Sequence, residues 1–81
     1  MNQQELLTRI ELNPKILTGK AVIKGTRLSV QFIIGLLANG YSYNDILNEY
    51  PGLTIEDIQA CLSFANNALE DSAFYPTSTQ N

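Results

Sequence analysis

Ser29-Val-Gln-Phe-Ile-Ile-Gly-Leu-Leu-Ala-Asn-Gly40, Tyr41-Ser-Tyr-Asn-Asp-Ile-Leu-Asn-Glu-Tyr50 and Pro51-Gly-Leu-Thr-Ile-Glu-Asp57 decide the fold, because together they spell three helix starts and two helix stops. Ser29 is placed to cap a helix whose Val30, Ile33, Ile34 and Leu37 follow the i, i+3, i+4, i+7 rule. Phe32 and Leu36 widen its apolar face, and Asn39-Gly40 supplies a left-handed stop. This spacing predicts the central, most buried helix. Ser42 then precedes Asp45 by three residues, a capping-box pattern, with Tyr41 placed to staple onto Ile46. The device recurs at Thr54 and Asp57, with Leu53 opposite Ile58. Between the two starts, Tyr50-Pro51-Gly52 has to end the second helix, since proline disfavours a helical residue before it and glycine frees the turn. The third helix is expected to bury Ile55, Ile58, Leu62, Ala65 and Leu69 along one stripe. Two short helices joined by a tight glycine-bearing turn, with another helix packed across both, form a helix-turn-helix arrangement.

Upstream the pattern changes. Residues 1–7 read as a flexible polar lead that frays or forms a helical turn. Thr8-Arg-Ile-Glu-Leu12 alternates polar and apolar residues as a strand does, and Asn13-Pro14 forces a turn. A second extended stretch falls within Ala21 to Leu28, interrupted by Gly25, so a short N-terminal β-ribbon is expected. Such a ribbon is marginal alone and needs a surface to lean on. The chain is thus expected to hold one mainly α domain over residues 8–71, a three-helix bundle with a β-ribbon at its start. Residues 72–81 read as a flexible tail whose one apolar point is Phe74-Tyr75.

The charges are segregated. All five basic residues, Arg9, Lys15, Lys20, Lys24 and Arg27, precede position 28. Set against Glu5 and Glu11, the first 30 residues carry +3, whereas the remainder carries −6 from Asp45, Glu49, Glu56, Asp57, Glu70 and Asp71. Lys20, Lys24, Gly25, Thr26 and Arg27 form the stretch best suited to hold an anion, because glycine brings backbone close to a ligand that the cations attract. The same run also reads as a solvated basic hairpin.

At 81 residues there is room for one small core. Chains of this size bury only ~60% of their unfolded surface, so a partner or a second copy is expected to help. Cys61 is the single cysteine, which rules out an internal disulfide and suits a reducing cytoplasm. The start has no signal-peptide pattern, and the apolar run Phe32 to Ala38 is too short to span a membrane.

Catalysis finds little support, because the chain has no histidine and its one thiol has no evident base. No metal set or cofactor motif is present either. A P-loop reading of Gly19-Lys20 fails, since Pro14 stands where glycine is required and Ala21 where serine or threonine is. If the third helix read DNA, Glu56 and Asp57 at its start would be repelled by phosphate. Gln59, Asn66 and Asn67 remain secondary candidates for neutral contacts to base edges, while any charged contact is placed on the basic ribbon.

Ile10-Glu-Leu-Asn-Pro14, Gly19-Lys20, Ile23-Lys-Gly-Thr-Arg27, Val30, Leu37-Ala38, Gly40, Ile46-Leu47, Tyr50-Pro51, Leu53-Thr54 and Asp57-Ile58 together resemble the bacterial domain-of-unknown-function family 433. The resemblance covers residues 8 to 68, with Ala21 standing where members usually have proline. It implies a homeodomain-like or winged-helix-like fold. For function it implies a non-enzymatic antitoxin that masks a PIN-like ribonuclease toxin and also binds operator DNA. A cytoplasmic homodimer without cofactors is the expected form. The alternative is a homodimeric structural adaptor with no nucleic-acid role.

Overall fold

The computed structural model of the chain describes residues 2–12 and 20–71. The Asn13-Pro14 turn, Lys15, Gly19 and the tail lie outside the described residues. In chain order the elements are α1 (Gln3–Leu7), β1 (Ile10–Leu12), β2 (Ala21–Ile23), α2 (Val30–Ala38), α3 (Tyr43–Glu49) and α4 (Ile55–Asp71). The protein is mainly helical, with a two-stranded antiparallel ribbon near its start.

Local chemistry sets the helix ends where the sequence places them. The Ser29 hydroxyl accepts from the Phe32 amide at 2.9 Å. Ser42 and Asp45 form a reciprocal capping box at the start of α3. At α4 the Thr54 amide donates to Asp57 Oδ2 at 3.0 Å, and the Asp57 amide donates to Thr54 Oγ1 at 3.3 Å. Gly40 has a φ of +94°, the left-handed conformation that stops α2 after Asn39. Tyr50 caps α3 ahead of Pro51.

Residues 3–7, within the stretch expected as a lead, form α1. Asn2 and Glu5 close a capping box around its start, and Leu6 is buried where α1 packs on α4. The ribbon pairs Ile10 with Ile23, Glu11 with Val22 and Leu12 with Ala21. Val22 also bridges to Ser29, which ties the ribbon to the start of α2.

The hub of the fold is α4 rather than α2, since α1, α2, α3 and β1 all pack against it. The core consists of Ile23, Val30, Ile33, Ile46, Leu53, Ile58 and Cys61. Two expectations are corrected here. In α2 only Val30 and Ile33 are buried; Leu37 is half-buried and Phe32 is 41% exposed. In α4 the inward face is Asp57, Ile58, Ala60 and Cys61, whereas Ile55, Leu62 and Leu69 are 46%, 40% and 67% exposed. On this inward face the Asp57 carboxylate reaches both the Thr54 amide and Arg9, beside the fully buried Ile58 and Cys61. With that face inward the Ile55, Leu62, Leu69 stripe is turned toward solvent.

Candidate functional site: the basic turn and its clamp

The basic segment begins as β2 and ends at the cap of α2. Between them the Thr26 amide donates to the Ile23 carbonyl at 3.0 Å, closing a β-turn with Lys24 and Gly25 at its two central positions. Gly25 has a φ of +78°, as the third residue of a type II turn requires. The Thr26 hydroxyl donates to the same carbonyl at 2.7 Å and accepts from the Leu28 amide at 3.0 Å. Both Thr26 and Gly25 therefore shape the turn. Lys24 stands at the turn's tip and Arg27 just beyond it, both exposed.

The turn is held from behind. The Lys24 amide donates to the Arg9 carbonyl at 2.8 Å, extending the ribbon by one residue. Arg9 Nη1 in turn donates to Asp57 Oδ1 at 3.0 Å, in an ion pair whose side chains are 31% and 12% exposed. Partners 48 positions apart thus clamp the ribbon onto the first turn of α4. Arg9 Nε is buried without a hydrogen bond. One basic residue is consequently taken up by the fold, while Lys20, Lys24 and Arg27 make no ion pair with a described residue.

Around the turn the surface is aromatic as well as basic. Arg27, Leu28, Ser29, Phe32 and Tyr50 line a shallow depression of about 300 Å³. Phe32 and Tyr50 meet edge to face with ring centroids 5.9 Å apart. On the other side of Phe32, Lys20 joins Ser29, Gln31 and Gly35 around a second depression. Lys20 and Arg27 therefore flank Phe32 on one continuous surface, with Lys24 at the tip of the turn between them in sequence. Phe32 and Tyr50 were not legible as site residues, since Phe32 fits the apolar period of α2 and Tyr50 fits a helix stop.

The secondary candidates sit apart on α4. Gln59 and Asn66 are exposed, while Asn67 is half-buried and accepts a hydrogen bond from the Gln3 side chain, so it helps seat α1. The Cys61 thiol is fully buried, and desolvation together with the nearby Asp57 carboxylate pushes its pKa from 9.0 up to about 12. It stays protonated at neutral pH and behaves as a small apolar side chain. Among the described residues no three His, Cys, Asp or Glu side chains come together as metal ligands. No helix among them is long and apolar enough to cross a membrane.

Fold and site define a small helical module, a helix-turn-helix pair preceded by a clamped β-ribbon with a basic, aromatic-lined turn. Residues 10–65 match the family described as Protein of unknown function (DUF433), and the chain belongs to that family. A crystal structure of a family member from Anabaena variabilis is similar, with a TM-score of 0.74 and 31% sequence identity, covering 84% of this chain and 67% of that one. No curated protein matches the chain.

Proposed function

We propose that the chain is a non-catalytic, antitoxin-like module of the cytoplasm that uses its basic turn to bind and mask a PIN-like ribonuclease. The observation that carries this reading is the pairing of unneutralised Lys20 and Arg27, on either side of β2 and its turn, with exposed Phe32 of α2 and half-buried Tyr50 at the end of α3. Arginine and tyrosine are the residue types that most often anchor protein interfaces, and clamping the turn beforehand lowers the ordering cost of binding. Nucleases of that kind gather carboxylates around their metals, and a cationic turn is the complementary shape and charge. The ribbon also supplies any contact to operator DNA, because Glu56 at the start of α4 opposes a phosphate backbone and no lysine or arginine on that helix offsets it.

A second reading, a homodimeric adaptor, is favoured by the exposed stripe Ile55, Leu62 and Leu69. These residues recur at seven-residue intervals, the spacing of a helix seam. Co-expression with a PIN-like ribonuclease encoded beside the gene separates the two. Masking predicts that the chain co-purifies with the ribonuclease and suppresses RNA cleavage. Undiminished cleavage at stoichiometric chain would overturn the masking role and leave the adaptor.

A further inference from the structure

Although Phe32 fits the apolar period of α2, it is 41% exposed. Its ring is nevertheless braced, because it meets Tyr50 edge to face with centroids 5.9 Å apart and planes at 85°. Phe32 and Ser29 line both depressions beside the basic turn, one of about 300 Å³ and the other of about 470 Å³. Each also holds one cation that has no ion pair with a described residue, Arg27 in the first and Lys20 in the second. A ligand crossing from one depression to the other therefore passes Phe32 with a positive charge on either side.

That order of groups selects a chemistry. Two cations in succession suit a backbone of repeating negative charge, and a braced, exposed ring between them suits a flat unsaturated partner. A single-stranded nucleic acid supplies both, offering phosphates to the cations and an unpaired base to the ring. A duplex offers only the phosphates, since its base faces are already stacked on one another. Gln31 and Asn39 add neutral hydrogen-bonding groups to the Lys20 depression. Asn39 Nδ2 already donates to the Gly35 carbonyl at 2.8 Å, which leaves its Oδ1 as an acceptor for a base edge. The rest of the chain repels such a strand, because beyond position 30 there are six acidic side chains and no lysine or arginine.

We propose that Phe32, flanked by Lys20 and Arg27, is a stacking platform for one base of a single-stranded nucleic acid. This role goes beyond masking and does not depend on it, since it is read with an oligonucleotide and no protein partner.

Fluorescence anisotropy of the full chain with labelled oligouridylate and oligothymidylate, about eight nucleotides long, and with a duplex of equal length tests it. The single strands should bind at least ~10-fold tighter than the duplex at low salt, as base stacking adds to phosphate contact. Phe32→Ala and Phe32→Leu should each weaken single-strand binding ~5–150-fold, the loss of one stacked base, while Phe32→Tyr retains it. Lys20→Ala and Arg27→Ala should each lower the logarithmic salt slope by ~0.7, whereas the Phe32 variants leave it unchanged. A preference between the two oligomers names RNA or DNA as the source, and either order supports the platform. Duplex bound as tightly as single strand, Phe32→Leu binding like the wild type, or no binding of either oligomer at low salt would overturn it. Failure here leaves masking untouched, because suppression of ribonuclease activity is measured separately.

Discussion

Replacing Asp57 by alanine should be among the most damaging single changes in this chain, although a reading by polarity alone would place it on the surface. Two losses add. The Thr54 amide loses its carboxylate acceptor, and a lost cap of this kind costs ~1 kcal/mol. Arg9 loses its ion-pair partner in a site where the two side chains are 31% and 12% exposed. That lies between an exposed pair, ~0–1 kcal/mol, and the breaking of a buried one, ~3–5 kcal/mol. Together these give ~2–4 kcal/mol for Asp57→Ala, a large share of the ~5–15 kcal/mol that holds a typical domain together. Urea denaturation of the wild type, Asp57→Ala, Arg9→Ala and the double variant would measure both the cost and the coupling. The coupling should be ~1–2 kcal/mol, whereas the neighbouring Glu56→Ala should stay within ~0.5 kcal/mol. If Asp57→Ala proves as mild as Glu56→Ala, or the cycle shows no coupling to Arg9, the clamp does not hold the ribbon and its rigidity needs another cause.

Further expectations can be checked on the same variants. Ile58→Ala should cost ~2–5 kcal/mol, as truncation of a fully buried aliphatic does. Leu62→Ala and Gln59→Ala should be near neutral by the same denaturation assay, and equal losses at Ile58 and Leu62 would show α4 to be rotated as its apolar period first suggests. Because the folded state raises the Cys61 pKa from 9.0 to about 12, it favours the neutral thiol. The resulting stabilisation is present in full below pH 9 and is lost as pH rises toward 12, a slope that Cys61→Ala should flatten in a pH series of urea melts. Gly25→Ala meets no steric obstacle but must adopt a φ of +78°, so it should destabilise the turn and weaken partner binding while the bundle stays folded by circular dichroism.

Where helices begin and end was legible because caps are local: Ser29, Ser42 with Asp45, Thr54 with Asp57, and Asn39-Gly40 each act within four residues. Asn2 and Glu5 carry the same local signature, which a reading of residues 1–7 by polarity passes over. The rotation of α4 was not legible. Ile58 and Ala65 fit two overlapping stripes, one continuing through Ile55, Leu62 and Leu69 and the other through Cys61 and Phe64. The choice between them involves partners distant in sequence, among them Arg9, which pairs with Asp57 on the buried face from 48 positions away. The basic cluster was visible as a charge pattern, but its sorting into exposed and structurally engaged members was not. Thr26 is absorbed by the turn and Arg9 by the clamp, while Phe32 joins the site only because α2 leaves it exposed beside Arg27.

The central claim, that the clamped basic turn is the binding surface, is tested most directly by titrating the PIN-like ribonuclease, and separately a duplex from the gene's own upstream region, at two salt concentrations. The chain is compared with two triple variants, Lys20→Ala/Lys24→Ala/Arg27→Ala and Gln59→Ala/Asn66→Ala/Asn67→Ala. Loss of binding in the first, with a flattened salt dependence, is predicted; for DNA each lost phosphate contact removes ~0.9 from the logarithmic slope. Retention of binding by the basic-turn variant, with loss in the α4 variant, would contradict the account and make α4 the reader.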